Sequence, residues 1–214
     1  MIRVKVKICG VANVEDANLV ASLGADYIGL NFCKESPRKI SLKMARDIIA
    51  KLPPFTLPVA VFAEEPLTDL VKFLAKTGFE AVQLHGSETP EYCKEVKEKA
   101  NIKVIKAFRI MDENSIAPMV LYQDIVDYFL LDAFVEGQAG GTGEVFNWDL
   151  VTTMRVKGIN KPFFLAGGLT PENVEQAIEK VEPFGVDVSS GVERLPKKKD
   201  FDKMKSFIRN ARGL

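Results

Sequence analysis

Short apolar runs alternate with segments of helical period from one end of the chain to the other. Residues 3–9 alternate polar and β-branched positions and stop at Cys9-Gly10, the pattern of a strand. Asn13 then predicts the cap of a helix running to Gly24, with Glu15 and Asp16 in its first turn, where the helix macrodipole favours acids. The unit recurs. Residues 27–32 read as a strand, 33–40 as a loop, and Ser41 as the cap of a helix whose Met44, Ala45, Ile48 and Ile49 keep helical spacing. After Pro53-Pro54 come a strand at 57–63, a helix at 67–76 and a strand at 81–85; Gly86 is a turn, and Thr89-Pro90 opens the next helix in cap-then-proline order. Strands are predicted at 103–110, 127–133, 162–166 and 185–188, and helices near 113–122, 148–158, 170–181 and 200–211, with Thr170-Pro171 repeating the cap-proline start.

Eight strand-helix units predict a parallel sheet with crossovers, closed into a single (β/α)8 TIM barrel that spans 1–214 as one domain. An open doubly wound sheet is the alternative, but the turn after the first strand, Cys9-Gly10-Val11-Ala12, lacks the G-x-G-x-x-G dinucleotide fingerprint. The longest stretch without periodicity, 134–147, carries Gly137, Gly140, Gly141 and Gly143 and reads as a mobile cover over an active site. A chain of 214 residues with 47% hydrophobic content suits one core.

Charge narrows the partners. Lys plus Arg and Asp plus Glu number 29 each, for a formal net charge of +0, so no long-range field favours nucleic acid or an anionic membrane, and an anion must be bound locally. The three cysteines, Cys9, Cys33 and Cys93, show no C-x-x-C spacing, which argues against a disulfide framework or zinc knuckle. No continuous apolar segment follows the first residues, and no apolar run approaches membrane-spanning length. The expectation is a cytoplasmic enzyme, neither exported nor anchored, as a monomer or homodimer.

Candidate chemistry collects where barrel enzymes keep it, at the C-terminal strand ends. The last two strands stop in small residues, Gly167-Gly168 and Ser189-Ser190-Gly191, whose N–H groups can converge on an anion; either segment alone is also a plain tight turn or helix start. A phosphorylated small molecule is the expected ligand. The reactive side chains at strand ends are Cys9, Arg38, His85, Arg109, Asp132 and Asp187. Cys9 is a base, a nucleophile or an inert buried hydrophobe. Asp132, after the apolar Tyr128-Phe129-Leu130-Leu131, is an acid with a burial-raised pKa or a turn aspartate. Arg38 is a planar fork for carboxylate or phosphate, or a surface arginine. His85, the sole histidine, contacts a ligand or is a satisfied strand-end residue, and its being alone excludes a multi-histidine metal centre. Lys197-Lys198-Lys199 reads as a solvated face.

Taken together, Lys7-Ile8-Cys9-Gly10, Ser36-Pro37-Arg38, Gln83-Leu84-His85-Gly86, Leu131-Asp132, Gly140-Gly141-Thr142-Gly143, Leu165-Ala166-Gly167-Gly168-Leu169 and Val186-Asp187-Val188-Ser189-Ser190-Gly191-Val192-Glu193 closely resemble the phosphoribosylanthranilate isomerase family of tryptophan biosynthesis. The resemblance covers essentially the whole chain. It departs at Lys39, where the family often has an aromatic residue, and at Lys197, where Pro-Gly is common. What it implies is an Amadori rearrangement of N-(5-phosphoribosyl)anthranilate without metal or organic cofactor. Cys9 would be the base at C2 of the sugar, Asp132 the acid at the furanose oxygen, Arg38 the clamp on the anthranilate carboxylate, and the two small-residue loops the phosphate site, with His85 and Asp187 also among the substrate contacts. The histidine-pathway isomerase typically has aspartate where this chain has Cys9, a metal-dependent epimerase needs more histidines, and a barrel that only binds a phosphoribosyl metabolite has no use for Cys9 and Asp132 on separate strands.

Overall fold

The structure, a computed structural model, describes residues 3–133 and 148–214. Eight parallel strands, β1 (Lys5–Cys9), β2 (Tyr27–Asn31), β3 (Leu57–Phe62), β4 (Ala81–Leu84), β5 (Lys103–Ile110), β6 (Tyr128–Ala133), β7 (Phe163–Ala166) and β8 (Gly185–Val188), pair in sequence order. The pairing of β8 with β1, Lys7 opposite Asp187, closes the barrel and removes the open-sheet alternative. Around it lie α1 (Val14–Ser22), α2 (Leu42–Ile49), α3 (Leu67–Leu74), α4 (Pro90–Ala100), α5 (Asp149–Val156), α6 (Val174–Val181) and α7 (Phe201–Ala211). Asn13, Ser41 and Thr89 each accept a backbone N–H from the first turn, so these three starts are set locally as their residue types predict.

Alternation along each strand sorts side chains into two compartments. Outward-pointing Ile8, Ile28, Leu30, Val82, Leu84, Phe129, Leu131 and Leu165 pack beneath helix residues such as Val20, Ile48, Leu70, Val96 and Phe207. Inward-pointing Val59, Ala81, Ile105, Leu130 and Phe164, with Tyr27, Tyr128 and Phe184, form a smaller cluster of their own. Tyr27, Tyr128 and Ala81 are first residues of their strands, so this cluster plugs the N-terminal half of the bore. Phe164 is its centre, edge-on to Tyr27 and to Phe184 at 5.4 Å each. A Cβ at Gly185 would lie 2.7 Å from that ring, so glycine makes room for it. Burying one such ring contributes about 2–3 kcal/mol. With the lower half filled by carbon, the upper half is left to polar side chains.

Three expectations need correction. The helix expected near 113–122 is a single 3-10 turn, Ala117–Leu121, with Pro118 in it and Met119 buried beneath. Regular α6 begins at Val174, one turn later than expected, although Thr170 does cap the turn before it: its Oγ1 accepts from the Glu172 N–H at 3.3 Å, its carbonyl accepts from the Val174 N–H at 3.2 Å, and its own N–H donates to the Asn173 side chain at 2.8 Å. The lysine run is a solvated face at Lys197 and Lys198 but not at Lys199. β9 (Glu193–Leu195) and β10 (Lys198–Lys199) form an antiparallel ribbon, and Lys199 is 2% exposed because its ammonium lies 2.9 Å from the Glu193 carboxylate.

The turn of that ribbon holds Lys197 at φ +69°, a left-handed conformation that a side chain disfavours and glycine does not. Lys197→Gly is therefore expected to stabilise the fold by about 1 kcal/mol and raise Tm by roughly 2–4 °C. A thermal melt showing no gain would mean the ribbon holds the turn without strain.

Candidate active site

Polar side chains in the upper half of the bore form two clusters. The first is built on β1, where Lys7 and Cys9, two residues apart, share the inward face. Lys7 is wholly buried and donates to Asp187 Oδ1 at 2.9 Å. Burial works against its charge, but the negative Asp187 and the Cys9 sulfur hold the ammonium's pKa above the ordinary value. For Cys9 burial wins: it pushes the thiol pKa up, Lys7 and Lys199 pull it back, and Asp187 adds to the rise. The thiol is thus the resting form of this side chain, and two lysines set how readily it becomes a thiolate. Gly29 lies opposite on β2, where a Cβ would sit 2.6 Å from the sulfur.

Arg38, in the loop after β2, lies against Gly10, whose φ of +72° and missing Cβ leave room for the arginine stem and the Ser189 hydroxyl. Its Nε and Nη2 donate to the two Glu193 oxygens at 2.8 and 2.6 Å, a paired geometry suited to a carboxylate. Burial acts to raise the Glu193 carboxyl, but the Arg38 hydrogen bonds and Lys199 hold it below the usual carboxylate range. Lys199 also donates to the Ser189 carbonyl at 3.0 Å. A continuous chain of charge therefore joins Arg38 to the loop after β8.

The second cluster joins β4 to β6. His85 Nε2 lies 3.2 Å from Asp132 Oδ2, and its Nδ1 lies 2.8 Å from Gln83 Nε2. Asp132 is the register neighbour of Arg109 on β5 and of Ala166 on β7.

Between the clusters on the rim lie the ends of β7 and β8. Gly167 and Gly168 both have positive φ, +81° and +65°, which glycine adopts without strain. Ser190–Val192 forms one 3-10 turn. A Cβ at Gly191 would fall on the Leu169 carbonyl oxygen, so the two loops touch through bare backbone.

Going round the rim, the order is Asp132 on β6, Gly167-Gly168 after β7, Asp187 and Ser189-Ser190-Gly191 on and after β8, then Cys9 on β1. All the expected site residues share this end of the barrel, whereas Gly140-Gly141-Thr142-Gly143 and the cover expected at 134–147 lie outside the described residues. Four participants escaped sequence reasoning. Lys7 and Gln83 each precede a candidate by two in a strand, a signal that placed them on its face. Glu193 and Lys199 gave no such sign, because their pairing depends on the ribbon turn and Glu193's other partner, Arg38, is remote in sequence.

The family model for N-(5'phosphoribosyl)anthranilate (PRA) isomerase matches residues 6–210. The chain belongs to the phosphoribosylanthranilate isomerase family. Among relatives, the N-(5'-phosphoribosyl)anthranilate isomerase of Pelobacter propionicus is 47% identical over 209 residues, covering 98% of this chain and 96% of the relative. A phosphoribosyl anthranilate isomerase from Thermotoga maritima superposes with TM-score 0.91 at 42% identity, over 99% of this chain and 100% of the other. A further phosphoribosyl anthranilate isomerase structure, in complex with reduced 1-(o-carboxyphenylamino)-1-deoxyribulose 5-phosphate, has TM-score 0.87 at 41% identity with the same coverage. Within this family the barrel's polar upper half gains a chemical context: a phosphoribosyl group and an anthranilate.

Proposed function

We propose that this chain performs the Amadori rearrangement of N-(5'-phosphoribosyl)anthranilate in tryptophan biosynthesis, with Asp132 as acid, Cys9 as base, Arg38 on the anthranilate carboxylate and the loops after β7 and β8 on the phosphate. The observation that carries the reading is the order round the rim, in which Cys9 and Asp132 flank the two small-residue loops. A phosphate seated on those loops places its ribose between the two groups. Asp132 gives a proton to the furanose oxygen, the ring opens to a cationic imine, and Cys9, once its thiol proton has gone to solvent, removes the proton from C2 as the thiolate to leave the enol-amine. The imine's positive charge joins Lys7 and Lys199 in favouring the thiolate at the step that needs it. No cofactor enters this scheme. Supplying the substrate and following loss of its fluorescence tests the activity directly; no turnover would overturn it.

Glu193 occupies two of Arg38's five N–H donors, leaving three for substrate on a guanidinium already fixed in place. Arg38→Lys removes the fork, and charge-assisted hydrogen bonds are worth about 1.5–3 kcal/mol. KM is therefore expected to rise roughly 10- to 100-fold with little change in kcat. An unchanged KM would show that the carboxylate is held elsewhere. Gly191→Ala should act at the other end of the substrate, because its methyl group collides with the Leu169 carbonyl and spreads the phosphate loops. A KM increase of about tenfold or more is expected; a variant with unaltered KM would place the phosphate away from them.

No helix among the described residues is long and apolar enough to cross a membrane, and we place the enzyme in the cytoplasm with its metabolite substrate. A related structure concerns the dimeric enzyme of Thermotoga maritima. A homodimer is accordingly the assembly proposed for this chain, and light scattering on the purified protein checks it.

A further inference from the structure

We infer that Gln83 is a positioning residue that locks His85 as a hydrogen-bond donor to Asp132, so that the histidine cannot take the proton the acid must deliver. The inference deepens the reading of Asp132 as the acid and rests on it. Gln83 is 1% exposed and inward-facing on β4, two residues before His85. Its amide nitrogen, 2.8 Å from His85 Nδ1, is its only side-chain contact of this kind among the described residues, and its Oε1 is buried without a hydrogen-bond partner there. An amide N–H presented to Nδ1 requires a lone pair on that nitrogen, so the single ring proton sits on Nε2. Nε2 is the nitrogen that meets Asp132 Oδ2 at 3.2 Å.

The consequence concerns both oxygens of the acid. Oδ2 accepts from the imidazole, so the transferable proton resides on Oδ1, free to face the substrate. After transfer the same Nε2–H remains to stabilise the carboxylate. The opposite tautomer would undo this, because a bare Nε2 beside a carboxylic acid is a base that draws the proton into the His85-Asp132 pair. The orphaned Oε1 costs about 1–3 kcal/mol, and the reversed amide would pair it with a proton on Nδ1, so the ring proton reports directly which way Gln83 is set.

His85 is the only histidine of the chain, so ¹⁵N ring labelling gives one imidazole with no assignment problem. The full-length enzyme at neutral pH should show the proton on Nε2 and a bare Nδ1. Gln83→Glu presents an acceptor instead of a donor, so it should move a proton onto Nδ1 and lower kcat by about 10²-fold, the scale of one positioned proton transfer, while KM stays within about threefold. Adding His85→Asn to Gln83→Glu removes the basic ring and should restore at least tenfold of that loss, which a purely structural role for Gln83 does not predict. A wild-type proton on Nδ1, a Gln83→Glu variant with parental kcat, or no recovery in the double variant would each overturn the inference. Failure of the underlying acid assignment looks different: Asp132→Asn would then keep its kcat while the ring spectrum, independent of turnover, still showed Nε2–H.

Discussion

Cys9→Ala and Asp132→Asn are each expected to lower kcat by roughly 10² to 10⁴ while KM changes by no more than a few-fold. The expectation follows from the division of labour around the rim: binding rests on the Arg38 fork and the β7 and β8 loops, and neither substitution alters them. Both are conservative in volume, so the fold should survive, which a melt can check. Cys9→Ser should be impaired nearly as much as alanine, because an alcohol gives up its proton far less readily than a thiol. The direction of the Cys9 shift adds a pH dependence. A thiol held above its ordinary pKa carries the base form only at alkaline pH, so kcat/KM should climb with pH through the ordinary thiol range and beyond it. A Cys9→Ala variant retaining parental kcat, under conditions where chemistry limits the rate, would end the assignment.

Lys7→Met should be the most damaging single change to stability. It strands Asp187, 7% exposed and bonded to Lys7 at 2.9 Å, without its cation, and breaking one partner of a buried pair costs about 3–5 kcal/mol. It also removes the larger of the two lysine effects that draw Cys9 toward thiolate, so the alkaline limb of kcat/KM should move to still higher pH. Stability and catalysis can be separated here. Lys7→Met combined with Asp187→Asn leaves no unpaired charge and should recover most of the lost stability, but the activity should stay low, because the cation beside the sulfur is still missing. Denaturant titration and a pH-rate profile on the single and double variants read the two effects; a single variant as stable and as active as its parent would contradict both.

The sequence disclosed the barrel because its local signals agree with its global form. Eight strands appear in the expected places, and Asn13, Ser41 and Thr89 cap helices as their chemistry predicts. Sequence and structure part where local geometry that a residue's type does not show decides its surroundings. Lys199 is charged and sits in a basic run, yet Glu193, brought alongside by the ribbon, makes it a buried residue. Thr170 does cap as its residue type predicts, but the turn it caps becomes regular helix only at Val174. Lys7 is concealed for another reason. A lysine in a strand suggests solvent, and only closure of the sheet turns the inward face of β1 into a dry, charge-paired site. Cys9 was legible as a candidate base, but the sign of its pKa shift was not, since that depends on how burial balances two lysines from opposite ends of the chain.

The contact between Gly191 and the Leu169 carbonyl bears on how this enzyme can change. Where a side chain meets a side chain, one can shrink as the other grows, and a lineage or a mutant library can cross the gap in two tolerable steps. Here position 191 faces peptide backbone, which has nothing to trim. Any larger residue there must be accommodated by rerouting the segment after β7, through an insertion, a deletion or a new turn. Redesign toward a bulkier anion should therefore exchange the two loops as a matched set, and saturation mutagenesis at position 191 alone should return glycine.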